Sequence, residues 1–408
     1  MDFPKLRPVQ TFPIQHQGQT LIGVRDATGL TEQVAVVPEP VLFMMQLMDG
    51  EHSVLDIQAA CTRRFGQLIA SEKIQQVIDQ LDEALILESE RFRLHYENLV
   101  QEFRNLPTRP SSHSGNGYPE DPGELRKQLD GYFQLETRED SPPSEQNTAT
   151  LRGILAPHID FARGGKTYAH AYRRLAARSE ADLFVVLGVS HMPMDTLFAA
   201  TGKDYETPLG LMRTDRDFLE LLNSKVGTDL ANEEFAHRTE HSVEFQMLML
   251  QYLFDGKPEK TAVPILCGSF HELLERGEKP GEQEEIRRFL DGLNQALEEC
   301  GRKWCLVGGV DLSHVGEYFG DPRDLTDGFL EEVNRADQEI LSHVARIDAD
   351  AFLESICRNN DRYRVCGIPA IYAILKTLRT GKGTILDYQQ CVTQELKNCV
   401  TIAAVAFE

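Results

Sequence analysis

From residue 151 to its end, the chain alternates short continuous apolar runs with longer amphipathic stretches. The runs at 151–156 (LRGILA), 182–188 (DLFVVLG), 195–200 (DTLFAA), 261–266 (TAVPIL), 304–310 (WCLVGGV) and 401–407 (TIAAVAF) have strand length. FVVLG, LVGGV and IAAVAF show none of the polar alternation of a half-solvated strand, which predicts interior strands covered on both faces. Between the runs, apolar residues recur at helical spacing over 165–178, 215–224, 241–254, 282–299, 327–345, 349–357 and 368–379. Strand and helix in alternation imply an α/β domain over 151–408, with a central, mostly parallel sheet flanked by helices.

The first hundred residues have another rhythm. QTLIGVRDATGL and EQVAVVPEP read as extended pieces broken by Gly and Pro, and three helices follow. The second helix starts near Ser53 and stops at Gly66; the third carries Ile74, Val77, Ile78, Leu81 and Leu85 on one face. ALILESERFRL then turns to alternation, as the wing of a winged-helix unit would, so residues 1–105 are expected to form a separate small docking domain. Residues 106–150 read as a linker and opening helix: NLPTRPSSHSGNGYPEDPGE is rich in Pro, Ser and Gly, Asp121-Pro122 is a helix start, and QLETREDSPPSEQNTAT is a polar loop.

Composition narrows the function classes. The chain has 408 residues, of which 41% are hydrophobic and 26% charged, so it is globular. Its formal charge of -22 disfavours nucleic acid and anionic membranes as partners. The third front helix is itself acidic, which argues against DNA reading by that unit. No run of 18 apolar residues spans a membrane, and MDFPKLRPVQTFPIQHQGQT lacks a signal core. The eight cysteines are scattered without a CxxC pair, the pattern of reduced thiols in a cytoplasmic protein.

Candidate chemistry gathers where strands end. His158 and Asp160 follow the run at 151–156, Ser190 and His191 follow 182–188, and Asp311, Ser313 and His314 follow 304–310. In open α/β sheets ligands collect outside such carboxyl ends, so three loops can aim at one crevice. Helix 241–254 opens with Glu240, His241 and Glu244; two carboxylates one turn apart repel unless an imidazolium, an arginine or a metal lies between them. Two neutral imidazoles and a carboxylate form a ligand set for a divalent transition metal such as non-haem Fe(II). The candidates are His158 and His191 with Asp311 or Glu240 as third ligand, and Asp160 or Glu244 behind them as orienting carboxylates. A hydrolytic triad from Ser190, His191 and Asp311 is the competing arrangement, but adjacent nucleophile and base make awkward geometry and GVSHM lacks the second glycine of a nucleophile elbow. Cys366, at the corner CGIP, is a candidate thiol nucleophile. No phosphate loop or dinucleotide fingerprint follows a strand.

The motifs APHIDFARGG, LGVSHMPM, YETPLG, EHSVEFQ, VDLSHVG and CGIPAIYAIL occur in the order seen in Memo-like proteins, whose microbial members are also called AmmeMemoRadiSam system protein B. SGNGYPEDPGELRKQLDGYF is similar to that family's opening segment, so the resemblance covers about 110–408. It implies a fold related to the class III extradiol ring-cleaving dioxygenases, an iron or copper site and oxidoreductase chemistry. It also implies a radical SAM or AMMECR-like partner protein and a peptide or small aromatic substrate. By motif match His158 and His191 fall on the family's two histidines, His241 on the histidine of EHS, and Ser313 on the last site position, which is a cysteine in animal members. Serine is a poor ligand at neutral pH, which leaves Asp311, His241 and His314 contending for the third place. Residues 159–161 depart from the family, with Ile-Asp-Phe where Ala-Gly-Tyr is common. The front segment resembles PqqD-like domains through DG..S..DI......FG........V...LDEA..LE. The alternative to an enzyme is a non-catalytic peptide- or protein-binding module using the same crevice, or a structural subunit of a modification complex.

Overall fold

The computed structural model describes residues 1–16, 19–136 and 150–408, and the chain divides into the units Met1–Asn105 and Leu106–Glu408. In the first, β1 (Val9–His16), β2 (Gln19–Asp26) and β3 (Val34–Val37) form an antiparallel sheet in that order. Helices α1 (Glu39–Met45), α2 (Val54–Phe65), α3 (Ser71–Glu83) and α4 (Glu90–Asn105) follow. Ser53 starts α2 with a reciprocal cap: its hydroxyl accepts the Asp56 N–H at 3.2 Å while Asp56 accepts the Ser53 N–H at 2.9 Å. Gly66 ends α2 with φ 70°, the left-handed conformation a side chain would resist. Ile74, Ile78 and Leu81 of α3 pack with Ile57, Met44, Met45 and Val24 as the core of this unit.

No hairpin wing forms over ALILESERFRL. Leu85 turns the chain with φ 60°, and the Ser89 hydroxyl accepts the Phe92 N–H at 3.1 Å, starting α4 at Glu90. Alternation over so few residues is also compatible with one face of a helix, and the serine cap decides for the helix.

The second unit starts with β4 (Thr108–Arg109) and α5 (Pro122–Glu136). Then come β5 (Gly153–Ala156), α6 (Phe161–Arg178), β6 (Leu183–Val189), β7 (Phe198–Ala200), β8 (Asp204–Thr207), β9 (Gly210–Met212), α7 (Arg216–Val226), α8 (His241–Phe254), β10 (Thr261–Cys267) and α9 (His271–Glu275). The chain closes with α10 (Glu284–Glu299), β11 (Trp304–Gly309), β12 (His314–Gly316), α11 (Asp327–Ala345), α12 (Ala349–Cys357), α13 (Ile368–Leu378), β13 (Gly383–Thr393) and β14 (Asn398–Phe407). The polar loop expected over 134–150 falls largely on 137–149, outside the described residues.

Eight strands make the main sheet in the order β12-β14-β5-β11-β6-β10-β7, with β13 on the free side of β14. The sheet is mixed. β5, β11, β6 and β10 run parallel at its centre, and β14, β13, β12 and β7 join antiparallel. Helices cover both faces. Phe218, Phe289, Ile340, Phe352 and Ile371 of α7 and α10–α13 fill one side; Leu125, Tyr168, Tyr172 and Leu248 of α5, α6 and α8 fill the other. This double cover explains the unbroken apolar runs of β5, β6 and β11, which are buried at nearly every position.

Candidate functional site

β11 lies between β5 and β6, parallel to both. Their carboxyl ends therefore open side by side, which brings His158, His191 and Asp311 to one rim. The fourth contributor is the first turn of α8, and two glycines let it approach. A Cβ on Gly309 would lie 2.3 Å from the Ser242 carbonyl oxygen, and one on Gly188 would lie 2.5 Å from Ser242 Oγ. Ser242 then locks to β6: its hydroxyl donates to the Val189 carbonyl at 2.8 Å and accepts the Val189 N–H at 3.1 Å. The lock places His241 beside the two strand-end histidines.

The rings of His158, His191 and His241 lie with centroids 4.7–5.2 Å apart. One ligand nitrogen from each lies within 4.8 Å of the other two. The outer nitrogens are spoken for. His158 Nδ1 meets the Gly309 carbonyl at 3.0 Å, His191 Nδ1 meets Glu240 Oε1 at 3.0 Å, and His241 Nδ1 lies 3.3 Å from the same oxygen. With Nδ1 the donor to Gly309 and Glu240, the neutral rings of His158 and His191 present Nε2 as an acceptor, that of His158 facing the Cys366 thiol at 3.5 Å. Glu240 is held in turn by the backbone N–H groups of His191 at 2.8 Å and Ser242 at 2.9 Å.

Burial sets the charge state. It pushes the His158 imidazole down to about 3, with His191 adding to the effect. Burial also takes His241 to about 3, against the pull of Glu240. Burial acts on His191 too, but the adjacent Glu240 carboxylate outweighs it and raises that histidine. Glu240 itself is desolvated, yet His191 and the bonds it accepts hold it well below the usual carboxylate range. Asp311 is raised by burial.

The other expected site residues separate into two groups. Asp311 is at the cluster: Oδ1 accepts the His158 N–H at 2.8 Å and the Ile159 N–H at 3.2 Å, and Oδ2 lies 3.5 Å from His158 Nε2. His314 donates Nδ1–H to the Leu312 carbonyl at 3.1 Å, and its ring packs on Phe319. Ser313 faces away, donating its hydroxyl to Asp337 at 2.6 Å. Asp160 is the N-cap of α6, bound to Arg163, and makes no bond to His158. Glu244 orients neither strand-end histidine; it binds Arg109, Ser112, His113 and Tyr118. Of the two carboxylates of the α8 turn, Glu240 is the one that orients imidazoles, and the Arg109 guanidinium meets Glu244 while its Nη2 donates to the Glu240 carbonyl at 3.0 Å. Ser190 donates to the Met192 carbonyl at 2.8 Å rather than to His191, which removes the triad geometry.

Of three further contributors, Cys366 was expected only as a lone nucleophile, and Arg109 and His113 carried no local signal. Cys366 Sγ lies 3.5 Å from His158 Nε2 and 3.6 Å from the Asp311 carbonyl, so the thiol beside the histidines comes from the α13 corner. Burial lifts that thiol well above its ordinary value. His113 stands 5.5 Å from the His241 ring, centroid to centroid, on the segment that the sequence presents as a linker. Arg109 sits fully buried at the start of that segment. Only the compensating charge required by Glu240 and Glu244 hinted at an arginine.

Comparison with known proteins places these residues in context. The family profile described as "Memo-like protein" matches residues 109–406. A MEMO1 family protein of Aquifex aeolicus is 30% identical over 402 residues, covering 98% of this chain and 99% of the relative. That of Thermus thermophilus is 28% identical over 344 residues, 84% of this chain and 94% of the relative. That of Methanopyrus kandleri is 27% identical over 301 residues, 72% of this chain and 96% of the relative.

Proposed function

This chain belongs to the Memo-like family, and from that premise and the geometry of its crevice we propose that it is a metal-dependent oxidoreductase of dioxygenase type whose ion is held by His158, His191 and His241. The observation that carries the reading is the convergence of three imidazoles from three separate stretches of chain, two of them oriented through Nδ1 by the Gly309 carbonyl and the Glu240 carboxylate. Ligand histidines must be neutral, and burial keeps His158 and His241 so. Asp311 Oδ2 and the Cys366 thiol lie beside His158 Nε2 and are the further donors within reach. Imidazole, carboxylate and thiol together suit Fe(II) or copper. When bound, such an ion supplies Lewis acidity and one-electron chemistry with oxygen.

The chain's own part is positional. Gly309 and Glu240 fix the ring orientations, Ser242 fixes α8 against β6, and His191, with a side chain 43% exposed, forms the open wall by which a substrate enters. Kinship with class III extradiol dioxygenases and a radical SAM or AMMECR-like partner belong to the same reading, supported by the family membership. No described helix is long and apolar enough to cross a membrane.

Elemental analysis after anaerobic loading with Fe(II) or Cu tests the reading. The untagged protein is expected to retain stoichiometric metal and the His158→Ala/His191→Ala double variant almost none. Equal, negligible metal in both overturns it.

A further inference from the structure

From His241 to Phe254 helix α8 rises about 20 Å, so its last turn is remote from the three-histidine crevice. There α8 meets the β8–β9 turn and the loop into β10 around a second pocket, of about 340 Å³, a volume in the range of small-molecule sites. Leu209, Met212 and Phe254 give it an apolar lining. Gly210, with φ 124°, lets the β8–β9 turn close on α8: a Cβ there would lie 3.1 Å from Gln251 Nε2, which donates to the Leu209 carbonyl at 3.4 Å.

The charge of this pocket runs against that of the chain. The formal charge of the whole is -22, yet the pocket is lined by Arg213, Lys257 and Lys260 against one acid, Asp255. Asp255 is already paired, with Arg126 Nη2 2.5 Å from Oδ2. Lys257 and Lys260 hold their ammonium groups 5.6 and 5.3 Å from the centre of the Phe254 ring, which itself stacks on Phe184. Lys260 also donates to the Ala181 carbonyl at 2.5 Å. Among the described residues, neither the Arg213 guanidinium nor the Lys257 ammonium has a hydrogen bond or an ion pair. The two lysines suit the carbonyl end of α8, but Arg213 follows β9 and has no helix end to complement.

We propose that this pocket binds a small phosphorylated molecule, its phosphate held by Arg213, Lys257 and Lys260 and a short apolar body laid against Leu209, Met212 and Phe254. Three cations beside a neutralised acid call for more than one negative charge, which a phosphate monoester carries at neutral pH and a carboxylate does not. The planar guanidinium can meet two phosphate oxygens at once, and the lysines add point charges. The acidity of the rest of the chain repels an extended polyanion, so the ligand is small. The site is independent of the metal reading above.

Phenyl phosphate is the probe, titrated calorimetrically into the full-length, metal-free protein at low ionic strength, where surface charges are least screened. The wild-type protein is expected to bind one equivalent saturably, and more tightly than inorganic phosphate, benzoate or phenol. Arg213→Gln and Lys257→Gln should each weaken phenyl phosphate about tenfold, the loss of one charged hydrogen bond. Both should melt near the wild-type temperature without ligand, since neither side chain has a hydrogen bond or ion pair to lose among the described residues. The His158→Ala/His191→Ala variant should bind phenyl phosphate as the wild type does, which keeps the ligand out of the crevice. No saturable binding by the wild type, full affinity in both single variants, or affinity lost with the two histidines overturns the proposal. Inorganic phosphate, benzoate or phenol bound as tightly as phenyl phosphate overturns the ligand class.

Discussion

Arg109→Met is expected to lower the unfolding free energy by about 3–5 kcal/mol, the usual cost of leaving one charge of a buried pair alone. Arg109 and Glu244 both have 0% side-chain exposure. The guanidinium donates to the His237 carbonyl at 2.9 Å, the Pro110 carbonyl at 2.9 Å, Ser112 Oγ at 3.0 Å and the Glu240 carbonyl at 3.0 Å, besides Glu244. Methionine fills much of the volume but leaves those acceptors and the carboxylate without their donor. The diagnostic comparison is with Arg109→Met/Glu244→Gln. Removing the stranded charge should return part of the loss, so the double variant is expected to be more stable than Arg109→Met alone. Denaturant unfolding measures both. A cost under about 1 kcal/mol for the single variant, far below the usual range, or a double variant with strictly additive losses, would show that the buried pair does not hold residues 109–118 against α8.

Metal-free protein is expected to lose stability as the pH falls from 6.5 to 5. His158 and His237 are buried, and burial takes each down to about 3. His237 is tied neutral, with Tyr205 Oη 2.7 Å from Nδ1 and the Ala199 carbonyl 3.2 Å from Nε2. An unfolded histidine titrates near 6.5, so between that value and 3 the unfolded chain binds protons that the native chain refuses. The stability these residues contribute is full above pH 6.5 and is lost as the pH falls toward 3. At about 1.4 kcal/mol per pH unit each, these two lose on the order of 4 kcal/mol by pH 5, and His241, which burial also takes to about 3, loses in the same direction. Asp361 acts oppositely: burial pushes it up to about 6, so the native chain gains a proton there and returns about 1.4 kcal/mol between pH 6 and 5. His191, Asp311 and Asp337, raised in the folded chain, act with Asp361, and the net expectation is a loss of stability over this window. Glu240 and Glu244, held low, lose their contribution only as the pH drops through the unfolded carboxylate range near 4.3, so this window reports the histidines. Flat stability from pH 6.5 to 5 would contradict burial of these imidazoles in neutral form.

What the sequence made legible follows from how local each signal is. Strands β6 and β11 declare themselves because both faces are covered, and Ser53 and Gly66 mark the ends of α2 through short-range bonds, whereas Asp160, expected behind His158, caps α6 ahead of the start expected at 165. The β13–β14 hairpin was visible only at 401–407, because β13 is half-buried at most positions and its pattern is neither alternating nor continuous. Histidines after strands could be placed on one rim by the rule for parallel sheets. The resemblance put Ser313 at the last site position, yet a hydroxyl two residues past Asp311 turns to Asp337, and the thiol arrives from Cys366, 208 residues beyond His158. Arg109 and His113 were hidden for a similar reason. They lie in a Pro- and Ser-rich stretch that reads as linker, and their placement depends on bonds to Glu244 more than a hundred residues away.

Anomalous scattering from crystals of the iron-loaded protein, recorded on both sides of the iron absorption edge, addresses the central claim most directly. The account predicts one strong peak bonded to Nε2 of His158, His191 and His241. Iron-loaded crystals with no peak among those rings, or with the three rings hydrogen-bonded to one another or to solvent in its place, would contradict it.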